Sequence, residues 1–447
     1  MLKKQVAVIG AGKSGISSVN FLLHAGYQVT LFDSREHPPG IDMLDTRVEV
    51  FLGPLNASFL VNFKLLVVSP GVALSNSALR QAKDAGCEII GDIELFARAL
   101  KEPRYAHAKL VTITGSNGKT TVTSLLGEMA NATSLKVAIG GNIGTPALDL
   151  LAPEIDLYIL ELSSFQLETT TSLNADIATI LNISADHLDR YRSYAHYIKT
   201  KHIIYQQCKK ALFNADDMQT KPLLPRLNSL SFGSENADFQ LLQKNNEIFL
   251  SIDGQTRFNV KHLKISGRHN WMNALAALGL GTAVGLTQEA MLSVLRRYSG
   301  LAHRCEFVKE VKGVRWINDS KGTNIGATQA ALSGLSQSIL GKVHVILGGQ
   351  GKGADFNELR EVFDEISGSI FCFGEDASLI AAVDDRIQCV NDLACAVRLA
   401  AQVSNSGDIV IFSPACASLD MYKNFMVRGD HFKELVKALG NVHHVEF

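Results

Sequence analysis

Short apolar runs recur along this chain, and most stop abruptly at glycine, serine, proline or an acid. QVAVIG, YQVTLFD, LLVVSP, LVTIT, LYILE, IATILNI, VHVILGG, IFCFG and DIVIFSP all have this form. They are rich in β-branched residues and apolar throughout, which predicts strands buried on both faces. Stretches with apolar residues at helical spacing separate them. After Gly118, for example, Val122, Leu125, Leu126 and Met129 fall on one helical face. The alternation predicts an α/β fold of parallel sheets covered by helices. Ligands in such folds bind beyond the carboxyl ends of the strands, so the polar residues closing each run are the first candidates for chemistry.

The units fall into three groups, and 447 residues are too many for one core. The first group, residues 1–97, predicts a Rossmann-like domain. The second, 98–300, opens on a phosphate-loop pattern and predicts a parallel sheet of ATPase type. Its more polar stretch, Asp216 to Lys264, reads as short strands and turns, a small antiparallel flap. The third, 301–447, predicts a second Rossmann-like domain. Arg296–Arg304, polar and broken by Gly300, is the expected hinge.

Composition narrows the function. Lys plus Arg is 43 and Asp plus Glu 44, a net charge of −1, which gives no footprint for nucleic acid or an anionic membrane. No apolar stretch reaches the roughly 18 residues of a membrane helix. The seven cysteines form no C-x-x-C pair and are odd in number, so a disulfide framework is not expected and a reducing, cytoplasmic setting is.

The sharpest motif is KLVTITGSNGKTT, Lys109–Thr121. The usual phosphate loop, G-x-x-x-x-G-K-[ST], would need glycine at position 113, which is Ile113. The loop is two residues short but keeps its chemical parts. Gly115, Ser116, Asn117 and Gly118 form a strand-to-helix turn with free N–H donors. Lys119 is placed for the β- and γ-phosphates, and Thr120 for a magnesium ion. An ordinary βα turn containing GKT is the plain alternative. Glu161, ending DLYILE, is placed to bind or orient the metal. His187, between Asp186 and Asp189, is a metal or phosphate contact or simply a solvated turn.

At the N-terminus Gly10-Ala11-Gly12-Lys13-Ser14-Gly15 follows a strand, and Asp33 ends the next. This fits a dinucleotide fingerprint and raises a rival, a nicotinamide- or flavin-dependent oxidoreductase. Glycines that merely allow tight helix–sheet packing would look the same. In the third group three basic, polar turns follow strands: WINDSKGTN (316–324), GGQGKGADF (348–356) and SPACASLDMYKNF (413–425). Each alone could be a capped helix start; together they predict one face for an acidic small molecule.

Taken in order, these motifs resemble the Mur ligases of peptidoglycan synthesis. TGSNGKTT matches that family's shortened phosphate loop. GAGKSG, GGNIG (140–144), ELSSFQLE (161–168), DHLDRY (186–191), GRHNWMNALAA (267–277) and GLAHRCE (300–306) add to the match, with the three turns of the third group. The resemblance implies an ATP-dependent, ADP-forming ligase with two Mg²⁺. Its implied substrates are small molecules, UDP-N-acetylmuramoyl-L-alanine and D-glutamate, and a monomer is expected.

It also implies residue roles. Gly115, Ser116, Asn117, Gly118, Lys119, Thr120 and Thr121 hold the ATP phosphates, with Asn142, Asn270, Asn273, Arg304 and Asp319 around the nucleotide. Thr120, Glu161 and His187 are implied metal ligands. Lys13, Ser14, Asp33, Ser34, Arg35 and Gly71 line the uridine nucleotide site. Lys321, Thr323, Lys352, Ser418 and Phe425 take D-glutamate. The family carries a carbamylated lysine, for which Lys201 fits best and Lys199 is the alternative. Lys119, Glu161, His187 and Lys201 are thus the implied catalytic set.

Overall fold

The computed structural model describes residues 4–186, 190–224, 227–265, 267–336 and 341–439. Three sheets organise them. They divide into two compact units: Met1–Lys244 with Leu250–Arg257 and Leu275–Val294, and Asn245–Phe249 with Phe258–Ala274 and Leu295–Phe447.

The first sheet contains β1 (Gln5–Ile9), β2 (Gln28–Asp33), β3 (Glu49–Leu52), β4 (Leu65–Val68) and β5 (Glu88–Ile90). Their order is β3-β2-β1-β4-β5 and every pairing is parallel. The chain leaves β1 for one side and returns for the other, so a crevice opens between the ends of β1 and β4. Gly10 sits there with φ +96°, and the Ser69 hydroxyl donates to its carbonyl at 2.8 Å. Gly15 allows the following helix, Lys13–His24, to approach: a Cβ on it would meet the Gly10 oxygen at 1.8 Å.

The second sheet holds β6 (Lys109–Thr114), β7 (Val137–Gly141), β8 (Leu157–Glu161), β9 (Ile177–Ile180), β10 (Lys210–Asn214), β11 (Asn228–Gly233), β12 (Phe239–Lys244), β13 (Glu247–Ile252) and β14 (Gln255–Asn259). The order is β14-β13-β12-β11-β10-β9-β6-β8-β7, which puts the phosphate-loop strand β6 between β8 and β9. The polar stretch becomes four strands at the edge of this sheet rather than a sheet of its own. Asn245-Asn246 and Asp253-Gly254 are two-residue turns with positive φ at both positions, the geometry that folds a strand back on its neighbour.

The third sheet contains β15 (Glu306–Val311), β16 (Val314–Asn318), β17 (Val343–Gly348), β18 (Ile370–Phe373), β19 (Ile387–Cys389) and β20 (Ile409–Phe412), ordered β15-β16-β20-β17-β18-β19. Only β15 runs antiparallel among the pairings of this sheet in the described residues.

Buried polar contacts tie the first two sheets together within the larger unit. Glu94, on the helix Asp92–Ala99, is almost wholly buried. It accepts from the backbone N–H groups of Thr171 and Ser172 and from the Ser172 hydroxyl, at 2.8, 2.8 and 2.9 Å. Gln166 donates to Asp92 at 3.2 Å, and Ser17 to Asp149 at 2.7 Å. Burial opposes the Glu94 charge, but the two N–H groups and Arg98 hold its carboxyl below the usual range.

Glu94→Ala leaves two backbone N–H groups and one hydroxyl without their acceptor and is expected to cost about 3 kcal/mol, measured by urea unfolding near neutral pH. A lowered native pKa gives stability that is present above the unfolded value and lost as pH falls through the native one. The difference between Glu94→Ala and the parent therefore narrows as the solution is acidified through the carboxyl range.

Candidate active site

The turn after β6 is built by its neighbours. Gly118 has φ +79° and starts the helix Lys119–Asn131, a conformation that favours glycine. Asn182, just past β9, holds the turn: its Oδ1 accepts from Asn117 N at 2.8 Å, its Nδ2 donates to Asn117 O at 3.1 Å, and its own carbonyl accepts from Ser116 N at 2.9 Å. The Ser116 hydroxyl meets Tyr197 Oη at 2.9 Å and donates to Ser184 O at 3.0 Å. Lys119 Nζ donates to Gly115 O and Ser116 O at 2.7 and 3.0 Å. Thr120 and Thr121 follow in the first helical turn.

Glu161 ends β8 in register with Ile113 of β6, so the sheet brings the acid beside the turn. It is buried. Asn142 Nδ2 donates to its Oε1 at 2.8 Å, and the backbone N–H of Asn142 reaches the Glu161 carbonyl at 2.8 Å. Gly141, φ +98°, makes room: a Cβ there would lie 2.5 Å from that carbonyl. Glu161 Oε2 is buried with no hydrogen-bond partner. An anionic oxygen in that state calls for a cation. Among the described residues no three His, Cys, Asp or Glu gather at metal-binding spacing. His187, placed in this set by the sequence, lies outside the described residues.

The two candidate lysines separate cleanly. On the helix Tyr194–Lys201, Lys199 faces solvent and Lys201 is 2% exposed. Lys201 Nζ donates to Gly115 O at 3.0 Å and lies 3.5 Å from Thr114 Oγ1, with the Tyr197 ring 4.8 Å away. Burial, then the Lys119 charge, pushes its pKa well down; Asp186 and Glu161 oppose this.

The crevice of the first sheet opens into a cavity of about 800 Å³. All six nucleotide candidates, Lys13, Ser14, Asp33, Ser34, Arg35 and Gly71, line it, joined by Asn142, Gly144 and Gln166 of the central sheet. Asp33 holds its local structure. Its oxygens accept from Ala11 N at 2.7 Å, Arg35 N at 2.9 Å and both prongs of the Arg35 guanidinium at 2.8 and 2.6 Å. That guanidinium, with the backbone donors, pulls the Asp33 pKa down to about 2. Arg190 carries no sequence signal of its own. It donates to Pro70 O and Val72 O at 2.9 and 3.3 Å, pairs with Glu168 at 2.9 Å and stacks 4.1 Å over Phe165. One arginine next to the DHLD segment therefore fixes a wall of the cavity.

In the second unit the three basic turns meet at the ends of β16, β17 and β20. Arg428, fully buried, donates to the carbonyls of Ser320, Gly348, Cys416 and Ala417 and to the Ser320 hydroxyl, so it joins all three turns. Its sequence signal, a lone arginine in MVRG, was too weak to single out. Lys321 Nζ lies 4.1 Å over the Phe425 ring, and the Ser320 hydroxyl donates to Phe425 O at 2.8 Å. Ser418 is buried, whereas Lys352 is exposed with φ +55°. Thr323 follows Lys321 in the same turn. Asn270 and Asn273 are adjacent on the helix Arg268–Val284, bonded at 3.2 Å. Arg304 lies on the approach to β15. Asp319 accepts from the Ser413 hydroxyl at 2.7 Å and Cys305 N at 3.1 Å.

A shortened phosphate loop inside a parallel sheet, with a buried acid at the end of the neighbouring strand, is the arrangement of an ATP-dependent, ADP-forming amide ligase. The chain belongs to the Mur ligase family. The family's models match in order: "Mur ligase MurD-like, N-terminal domain" at 4–91, "Mur ligase middle domain" at 113–281 and "Mur ligase, glutamate ligase domain" at 303–416. The chain is 47% identical over 440 residues to the UDP-N-acetylmuramoylalanine–D-glutamate ligase of Escherichia coli (strain K12), covering 98% of this chain and 99% of that one. The Salmonella choleraesuis (strain SC-B67) enzyme of that name gives the same figures. Among solved structures, the MurF ligase of Thermotoga maritima in complex with ADP superimposes with a TM-score of 0.62 at 18% identity, covering 98% and 96% of the two chains. MurF from Acinetobacter baumannii gives 0.63 at 18% identity, covering 97% and 93%. Among the described residues no helix is long and apolar enough to cross a membrane.

Burial raises Asp319 to about 6 in the native chain. A raised carboxyl stabilises the fold fully below the unfolded pKa, and that stability is lost as pH rises through the native value. Asp319→Asn should therefore melt a few degrees above the parent near pH 8 and level with it near pH 4, measured by calorimetry.

Proposed function

We propose that this chain joins D-glutamate to UDP-N-acetylmuramoyl-L-alanine, using ATP, in peptidoglycan precursor synthesis. Full-length similarity to enzymes named for that reaction supports the substrates. The observation that carries the chemistry is the convergence of Lys119 and Lys201 on the Gly115 carbonyl beside buried Glu161.

The L-alanine carboxylate attacks the γ-phosphorus of ATP, and the bond to the bridging oxygen breaks to release ADP. An acyl phosphate results. The D-glutamate amine attacks its carbonyl, the amide forms, and inorganic phosphate leaves. A free carboxylate is too poor an electrophile for that second attack, which is why the phosphoryl group is transferred first. Lys119 and the N–H groups at the start of its helix offset charge on the phosphates, while Asn182 keeps the Ser116 and Asn117 N–H groups to hold the turn.

Lys201 is the lysine we assign to carbamylation: a buried amine with a depressed pKa is neutral often enough to react, and the product is an oxygen ligand. Glu161, Thr120 and carbamylated Lys201 would hold Mg²⁺, the sequence match assigns His187 to the metals and Asn142 to the nucleotide, and the metal would supply further positive charge at the phosphates. Lys13, Ser14, Arg35 and Gly71 are assigned to the uridine diphosphate, with Asp33 and Ser34 shaping their turn. In the second unit Asn270, Asn273, Arg304 and Asp319 are assigned to the nucleotide, and Lys321, Thr323, Lys352, Ser418 and Phe425 to D-glutamate. We place the three functional domains at 1–97, 98–300 and 301–447.

Purified chain with ATP, Mg²⁺ and both acceptors should release phosphate; omission of either acceptor should abolish release. Phosphate release without acceptors, or none with both, overturns the reading. Lys119→Ala should lose turnover by at least about 100-fold yet still bind the uridine substrate in calorimetry. Lys201→Ala should be similarly impaired and regain activity with short carboxylic acids, while Lys199→Ala stays near the parent; the reverse pattern moves the carbamate to Lys199.

A further inference from the structure

The third sheet sets two of the chain's cysteines opposite one another. Cys372 of β18 is the register partner of Cys389 of β19. Their sulfurs are 3.5 Å apart. Adjacent strands lie roughly 4.8 Å apart. A disulfide accepts Cα separations of about 4.4–6.8 Å, so the sulfurs can close to a bond with little backbone movement. Cys389 is exposed and Cys372 buried. An oxidant from solvent therefore reaches one sulfur, and the other lies directly behind it. Both sulfurs also lie against one acceptor, Ala377 O, at 3.4 and 3.6 Å.

The end of β18 is tied to one of the basic turns. Gly349 N donates to Phe373 O at 3.1 Å, Asp376 N to Gly349 O at 3.1 Å, and Gly351 N to Asp376 Oδ2 at 2.6 Å. Gly374, φ +88°, has no room for a side chain: a Cβ would lie 2.8 Å from Gly349 Cα. The segment after Cys372 and the loop leading to Lys352 therefore shift together.

We propose that Cys372 and Cys389 are a reversible oxidation site, with a peroxide as oxidant, that acts on the Lys352 loop. The Cys389 thiolate attacks one peroxide oxygen. The O–O bond breaks, giving a sulfenic acid, and the departing oxygen leaves as water. The Cys372 sulfur then displaces the sulfenic oxygen as a second water, and the S–S bond forms. Two thiols give up two protons and two electrons, and the peroxide becomes two waters. Both thiol donors near Ala377 O disappear in that step. The effect on D-glutamate rests on the assignment of Lys352 above; the disulfide itself does not.

The test treats the full chain with hydrogen peroxide, denatures it, caps thiols with a maleimide and weighs it. The expected result is two fewer labels than the seven cysteines of the reduced chain, restored by dithiothreitol. Cys389→Ser, a change at an exposed position, should keep every remaining thiol labelled. In the oxidised sample the KM for D-glutamate should rise severalfold while that for ATP holds. Complete labelling after peroxide, or loss of two labels in Cys389→Ser as well, overturns the site. Loss of two labels with an unchanged KM for D-glutamate overturns its link to the loop. Labelling needs no turnover, so failure of the ligase reading would leave that arm intact.

Discussion

Two lysine side chains meet at one carbonyl oxygen, and much of the central domain serves that meeting. Lys119 comes from the start of the helix after the phosphate loop, and Lys201 from the end of another helix; both donate to Gly115 O. Two ammonium groups that share an acceptor repel one another, and Lys201 is the more deeply buried of the two. The site therefore resolves the conflict by binding anions, by keeping Lys201 neutral, or by both. Burial and the Lys119 charge already favour the neutral amine. The shortness of the loop belongs to the same arrangement. With Ile113 as an ordinary strand residue, β6 stays in register with Glu161 up to the turn, and the acid reaches the same end of the sheet.

Backbone donors and carbonyls, more than side-chain pairs, position the rest. Asn182 fastens the phosphate loop through three hydrogen bonds to Ser116 and Asn117. Arg190 fastens Pro70 and Val72 at the rim of the first sheet's cavity, and Arg428 fastens three turns of the third sheet. Each is a polar side chain that sacrifices its own mobility to fix a loop. Such loops hold a ligand without rearranging, which is the condition for electrostatic stabilisation at low reorganisation cost.

Most of this was legible in the sequence where a pattern is local. The quoted strands are buried and parallel because continuous apolar runs need cover on both faces. The phosphate loop and the strand-ending acids were visible because each sits where a continuous apolar run stops, a local pattern. Short edge strands were not legible: β3, EVFL, offers three apolar residues in four, too few to tell from a loop, and three of its residues are exposed. Nor were Asn182, Arg190 and Arg428, whose partners are backbone atoms distant in sequence. Asp33 shows the same limit. Its position at the end of β2 fitted a nucleotide fingerprint, but its carboxylate is taken up by Arg35 and the Gly10–Gly12 turn. Between Lys199 and Lys201 the sequence offered only spacing; burial distinguishes them.

The central claim is that phosphate passes through the substrate's carboxyl group before an amide forms. Oxygen labelling tests it most directly. UDP-N-acetylmuramoyl-L-alanine carrying ¹⁸O in its L-alanine carboxylate is turned over with ATP and D-glutamate, and the released phosphate is weighed. Transfer of one labelled oxygen to each phosphate is the predicted result. Unlabelled phosphate formed together with the amide product would contradict the account.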